Sequence, residues 1–224
     1  MVTYQAVASS DDWDERTRWA SRLVTATDIA KLMTGGPGTW AALKAEKAGL
    51  TRGFGGSAYT EWGKAREPII AKFAKDTRDL DHNTFLFVRD GTMHGATPDF
   101  VQPSDVFVGD AKTAEGDEWD EVPKEYNFQI NWQMYVRDAQ EGLLFAEFHK
   151  GFRPTHLEPI IYPVPRDDDL IEQMIDVADR FLGLAPPAEI DVLLAARIAA
   201  MKREKEARAD RDAIDAQVLD FIGD

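Results

Sequence analysis

The chain of 224 residues contains no cysteine. That excludes disulfides, thiolate zinc sites, cysteine nucleophiles and cysteine-held iron–sulfur clusters. No apolar run approaches the ~18 residues a membrane helix needs. No basic-then-apolar segment opens the sequence, so the expectation is a cytoplasmic protein with no membrane partner. Only four histidines occur (His82, His94, His149 and His156), and their spacing matches no metal site. Basic residues are also in deficit: 26 Lys and Arg stand against 40 Asp and Glu, a formal charge of −14. Spread evenly, that charge would repel phosphates.

The charge is not spread evenly. Residues 16–78 hold twelve basic and five acidic side chains, a net +7. Residues 79–165 carry −10 and residues 166–224 carry −7. A basic block therefore sits inside an acidic protein, either as a solvated helical face or as a phosphate-facing surface. With 44% hydrophobic residues the chain has enough apolar surface for a core.

Periodicity and turn signals predict helix over 13–34, with Trp13, Trp19 and Leu23 on one face. A second short helix near Thr27–Met33 would be capped by Thr25 or Thr27. Gly35-Gly36-Pro37-Gly38 is a break, followed by helix at 39–48 and a loop at Gly53, Gly55 and Gly56. A longer helix at 58–76 contains Pro68, which implies a kink or restart near Glu67. Strands follow at Thr84–Arg89, Met93–Phe100 and Asp105–Lys112, the first two joined by an Asp90-Gly91 turn, giving a three-strand meander. Residues 126–140 read as helix, Leu143–His149 and Leu157–Pro163 as strands, and 167–182 as helix. An Ala-rich helix at about 188–221 closes the chain. The expectation is a mixed α/β domain around one sheet over 1–185, with a C-terminal helical extension at 186–224.

Within that frame Asp99 and Asp110 fall near the ends of neighbouring strands. Asp110 and Lys112, two apart, point to the same face. Two carboxylates and an ammonium on one face suit a hard dication such as Mg²⁺ or Mn²⁺, which keeps several waters. Glu67, on the preceding helix, is a further candidate contributor, directly or through water.

These residues resemble a known pattern. Pro98-Asp99, followed by Asp110-x-Lys112, resembles the PD-(D/E)xK nuclease motif. Three surrounding segments extend the likeness: Arg22-Leu-Val-Thr-Ala-Thr27-Asp28-Ile29 and Gly63-x-x-x-Glu67 before it, and Tyr126-x-x-Gln129-x-x-x-Gln133-Met134-Tyr135 after it. Together, over roughly 18–163, they resemble the lambda-exonuclease / YqaJ-like phage recombinase family. The resemblance implies a restriction-endonuclease-like α/β core with a central mixed sheet flanked by helices. It implies one or two Mg²⁺ ions held by Asp99, Asp110 and the Ala111 carbonyl, with Glu67 on the metal or its waters and Lys112 placing the attacking water. Gln129 is assigned to substrate phosphate or the lysine, and Gln133, on the same face, to the DNA phosphates as well. Arg22 and Thr27 are assigned to the 5′-phosphate of a DNA end. The implied activity is 5′→3′ resection of double-stranded DNA ends for a RecT- or Beta-like annealing partner, by an enzyme that in this family forms a trimeric ring. Asp110 stands where the pattern more often has Glu, one methylene shorter.

Plainer readings exist for several of these residues. Glu67 alone is a common solvated helix glutamate, and Gln129 and Gln133 would look the same on any polar face. His94, Trp132 and Tyr135 read as core residues. The acidic run Glu115–Glu121 reads as a solvated loop, and the last helix as a packing or oligomer element. Two other functions fit the same motif: a restriction-like endonuclease, for which no sequence-reading module is visible, and a DNA-end-binding scaffold without catalysis.

Overall fold

The computed structural model describes residues 3–51, 56–102, 104 and 106–184, plus isolated positions from residue 200 onward. The helix expected at 188–221 therefore lies outside the described residues, isolated positions aside, as do Gly53 and Gly55 of the glycine loop. The chain runs β1 (Tyr4–Ser9), α1 (Trp13–Ala20), α2 (Ala26–Thr34), α3 (Pro37–Lys47), α4 (Ala58–Arg78), β2 (Asp81–His82), β3 (Phe85–Arg89), β4 (Gly95–Ala96), β5 (Phe100–Val101), β6 (Phe107–Glu115), α5 (Lys124–Arg137), β7 (Glu141–Lys150), β8 (Arg153–Pro154), β9 (Ile160–Pro165) and α6 (Asp168–Leu182).

The strands form two sheets. One is antiparallel in the order β1-β3-β4. The other is mixed, in the order β2-β5-β6-β7-β8, with β9 also paired to β7. The parallel pair β6–β7 is joined by the crossover helix α5, as a parallel connection requires. The expected three-strand meander does not form. The segment 93–100 is not one strand: β4 pairs with β3, β5 pairs with β6, and the chain changes sheet across Thr97-Pro98-Asp99. Pro98 has no N–H to give to a ladder, which suits a break in pairing there.

Other boundaries also move. The last strand begins at Ile160, and Leu157 is fully exposed. Trp13 is exposed too, not on an inward face. α4 runs through Pro68 without restarting. Lys64 and Pro68 both lie on its exposed side, where water can take the bond the ring cannot make.

Local chemistry sets the helix ends. Thr25 and Asp28 form a capping box on α2, Ser57 and Thr60 one on α4, and Pro37 opens α3. Asp79 and Asp138, at φ 53° and 59°, close α4 and α5. α5 covers one face of the main sheet, burying Ile130 and Met134 against Val108 and Leu144. Its close approach uses Gly142, where an added Cβ would lie 2.3 Å from Ile130 Cγ2. α4 covers the other face, packing Ile70 and Ala74 on Phe100 and Phe145. A further apolar cluster, including Ile29, Trp132 and Phe181, ties α2 and α6 to α5.

Candidate active site

Alternation along β6 sends Phe107 and Ala111 toward α4 and Val108 toward α5. Asp110 and Lys112 share the face of Val108. The β5–β6 register, Phe100 opposite Gly109 and Val101 opposite Val108, continues to bring Asp99 across from Asp110. Gly109 permits this pairing. A Cβ there would sit 3.1 Å from Phe100 Cδ2 and 3.2 Å from Phe145 Cε2.

Hydrogen bonds then fix each carboxylate. Asp99 Oδ2 accepts the Ala111 N–H at 2.7 Å, and its backbone carbonyl accepts the Asn83 N–H at 2.8 Å. The Asn83 side chain also donates to the Pro98 carbonyl at 2.7 Å. Asp110 is 3% exposed. One of its oxygens is bonded to Lys112, and the other accepts Gln133 Nε2 at 2.8 Å. The second Asp99 oxygen has no hydrogen-bond partner among the described residues.

The charges are strongly coupled. Burial and then the facing Asp110 carboxylate push Asp99 up to about 8; Lys112 and the Ala111 N–H pull it down, and Glu67 adds to the push. At Lys112 burial opposes the charge, but Asp110 and Asp99 outweigh it and raise its pKa above the usual lysine range. Lys112 also lies 5.4 Å from the centre of the Tyr126 ring.

These groups open onto a cleft of about 330 Å³. Asp99, Asp110 and Lys112 form one side, and Gln129 and Gln133 of α5 line it beside them. Across it stand Arg16 and Ala20 of α1 and Thr25 and Thr27 at the start of α2. Neither the Arg16 side chain nor the Thr27 hydroxyl has a partner among the described residues.

The sequence-derived site residues are thus sorted. Asp99, Asp110, Lys112, Gln129, Gln133 and Thr27 meet in one cleft. Gln133 does so as the partner of a carboxylate. Arg22 is exposed and does not line the cleft. Arg16, which the sequence reading passed over, does. Glu67 belongs to the helix on the opposite face of the sheet, and its Oε1 is 2.9 Å from His82 Nε2. It acts on Asp99 by charge alone. Asn83 was also unforeseen.

Among the described residues no group of three or more His, Asp or Glu converges as a metal cage. The donor set is two facing carboxylates with the Ala111 carbonyl between Asp110 and Lys112. It fits Mg²⁺, which takes one or two carboxylates and keeps waters. The repulsion between Asp99 and Asp110, which after burial raises Asp99 most, is the feature a dication would relieve.

His94, by contrast, is structural. It is 2% exposed, its Nδ1 is 3.0 Å from the Tyr135 hydroxyl and its Nε2 is 3.1 Å from Asp179.

The fold is shared with known exonucleases. An alkaline exonuclease from Laribacter hongkongensis aligns with a TM-score of 0.60 at 19% identity, over 85% of this chain and 98% of that one. Its complex with dAMP gives 0.61 at 18% identity, over 84% and 96%. A phage-related exonuclease from Haemophilus somnus 129PT gives 0.55 at 16%, over 71% and 93%. No curated protein sequence matches the chain. The family model of the YqaJ-like viral recombinase domain matches residues 12–140, from α1 past α5 and across every residue of the cleft. The chain belongs to the YqaJ-like viral recombinase domain family.

Proposed function

We propose that this protein is a Mg²⁺-dependent deoxyribonuclease that resects double-stranded DNA ends from 5′ to 3′. The observation that carries the reading is the Asp99–Asp110 pair, with Lys112, lining one cleft with an Arg16 whose side chain has no partner among the described residues. The exonuclease names of the structural relatives and the family membership support it.

Asp99, Asp110 and the Ala111 carbonyl would hold the cation, which when bound supplies Lewis-acid polarisation and makes water a better nucleophile. Lys112 is kept protonated by its two carboxylate neighbours. Bonded to Asp110, it would orient water and offset charge on the phosphoryl group. Gln133 holds Asp110 in place. Arg16, the Thr27 hydroxyl and the N–H groups opening α2 grip a terminal phosphate across the cleft. A bond forms from water oxygen to phosphorus and the P–O3′ bond breaks, the leaving oxygen gaining its proton from solvent. The shortened strand is left with a new 5′-phosphate. The 3′ single strand so exposed would suit a RecT- or Beta-like annealing protein, and a ring of identical chains would keep the enzyme on its duplex.

The test offers linear duplexes with a 5′-phosphate, a 5′-hydroxyl or a blocked 3′ end, beside a covalently closed circle, all with Mg²⁺. The expected result is nucleotide release from the linear substrates, fastest from the 5′-phosphate, and an intact circle. Cutting of the circle overturns the exonuclease reading in favour of an endonuclease. Lys112→Ala is expected to retain DNA and release no nucleotide; activity equal to wild type refutes its assignment.

A further inference from the structure

The α1–α2 turn, which brings Arg16, Thr25 and Thr27 to the cleft, is held from behind by a buried ion pair that the chemistry above does not use. Lys47 Nζ, at the end of α3, lies 2.7 Å from Asp28 Oδ2 and donates to the Ala20 carbonyl at 2.8 Å. The same Asp28 oxygen accepts the Thr25 N–H at 2.8 Å and the Thr25 hydroxyl at 2.6 Å. The Lys47 and Asp28 side chains are 13% and 9% exposed, and neither lines the cleft.

The placement has an electrostatic logic. Ala20 is the last residue of α1, where unpaired carbonyls make a negative end that favours an ammonium. Asp28 is the third residue of α2, where unpaired N–H groups favour a carboxylate. One lysine thus joins the tail of one helix to the head of the next. That bond fixes the gap between the helix carrying Arg16 and the N-terminal N–H groups beside Thr27. The opposite side of the cleft is held by other means, through Asn83, Gln133 and the β5–β6 register. Loosening the pair would therefore move one wall and leave the carboxylates in place.

From this geometry we infer that Lys47 and Asp28 are positioning residues that set affinity for DNA ends without touching them. The inference rests on the nuclease reading above for the identity of the ligand. Replacing one partner leaves the other buried and uncompensated, so the turn must rearrange to reach water.

The test compares full-length wild type with Lys47→Met, Lys47→Arg, Asp28→Asn and Lys44→Met. Lys44 is one turn earlier on α3 and donates to the Phe181 and Leu182 carbonyls at 3.1 and 3.3 Å, so its variant disturbs α3 away from the cleft. Two readouts are taken: kcat and KM on a linear duplex with Mg²⁺, and fluorescence anisotropy of a 5′-phosphorylated duplex with Ca²⁺. Lys47→Met and Asp28→Asn are expected to raise KM and weaken binding by about tenfold or more, with kcat within about threefold. Lys47→Arg is expected to restore binding, and Lys44→Met to match wild type. Unchanged affinity in Lys47→Met overturns the inference, as does a parallel loss of kcat and stability shared with Lys44→Met. If Lys47→Met does not fold, Asp28→Asn and Lys47→Arg carry the same comparison. A wild type that binds ends but digests nothing sinks the nuclease reading, while the binding arm still decides the clamp.

Discussion

Asp110 shows how one side chain is fixed from two elements at once. Its two oxygens are held by different elements, Lys112 on its own strand and Gln133 on α5, and it is almost fully buried. The other end of the Gln133 amide, Oε1, is buried without a hydrogen-bond partner among the described residues, so the bond to Asp110 is what orients that amide. Gln133→Leu is therefore expected to raise the Mg²⁺ concentration for half-maximal cleavage by about 10–100-fold, with DNA affinity unchanged. Gln133→Glu should be worse than Gln133→Leu, because it sets a third carboxylate against Asp110. A metal titration of the cleavage rate checks both, and an unaltered Mg²⁺ requirement would remove Gln133 from this role. The convergence of Asp99, Asp110 and Lys112 was legible because it depends on strand alternation and a short loop, both local. The roles of Gln133, Asn83 and Arg16 were not. A polar residue on a helix face carries no mark of what lies across from it until the turns and the crossover are fixed.

At the level of elements, β4 is the hinge of the architecture. Val24 donates to the Met93 carbonyl and accepts the Gly95 N–H, both at 2.9 Å, so the α1–α2 turn is laid along β4. Gly95 makes room for it: a Cβ there would be 2.7 Å from Leu23 Cδ1 and 3.2 Å from the Phe87 carbonyl. Gly95→Ala is expected to destabilise the protein by about 1–3 kcal/mol, read from the midpoint of urea unfolding. His94 ties the same strand to α5 and α6 through Tyr135 and Asp179. Asp179 accepts from Nε2, which leaves Nδ1 to accept the Tyr135 O–H in the neutral ring. Burial holds His94 below its ordinary value, against Asp179 and with help from Arg89. Above about pH 6.5 both folded and unfolded states are neutral there; below it only the unfolded chain gains the proton, so stability falls by at most about 1.4 kcal/mol per pH unit. The difference in unfolding free energy between pH 7.5 and 5.5 should shrink in His94→Gln, and an identical pH dependence in both proteins would discount the histidine. The helices and the strand–helix–strand order of β6, α5 and β7 were readable from periodicity and breakers, though not that β6 and β7 pair in parallel. β1 was not, because its pattern buries only Ala8 and leaves no alternation to detect. The meander failed for the opposite reason: 93–100 looks continuously strand-like, and only the two different partners of its halves reveal the break at Pro98.

Across the whole molecule, the formal charge of −14 must be reconciled with a substrate that is itself a polyanion. The +7 block over residues 16–78 spans the three helices that build and brace the cleft wall, together with α4. The acidic excess lies elsewhere, partly in the carboxylate pair whose charge a dication would offset. DNA binding should then depend on few phosphate contacts, each releasing counterions, so that log K falls linearly with log salt at a shallow slope. Arg16 is the contact expected to matter most, since its guanidinium has no partner among the described residues and lines the cleft, whereas Arg22 is exposed outside it. Arg16→Ala is expected to weaken binding of a phosphorylated duplex end at every salt concentration and to reduce the slope by about one. Arg22→Ala should change affinity less and leave any preference for the 5′-phosphate intact. Anisotropy titrations of both variants across a salt series, in Ca²⁺, measure this directly. An unchanged slope in Arg16→Ala, with a lost phosphate preference in Arg22→Ala, would return the terminal-phosphate contact to the arginine the sequence pattern first suggested. It would also require the α1–α2 turn to rearrange when DNA binds, because of these two arginines the folded turn directs Arg16, and not Arg22, into the cleft.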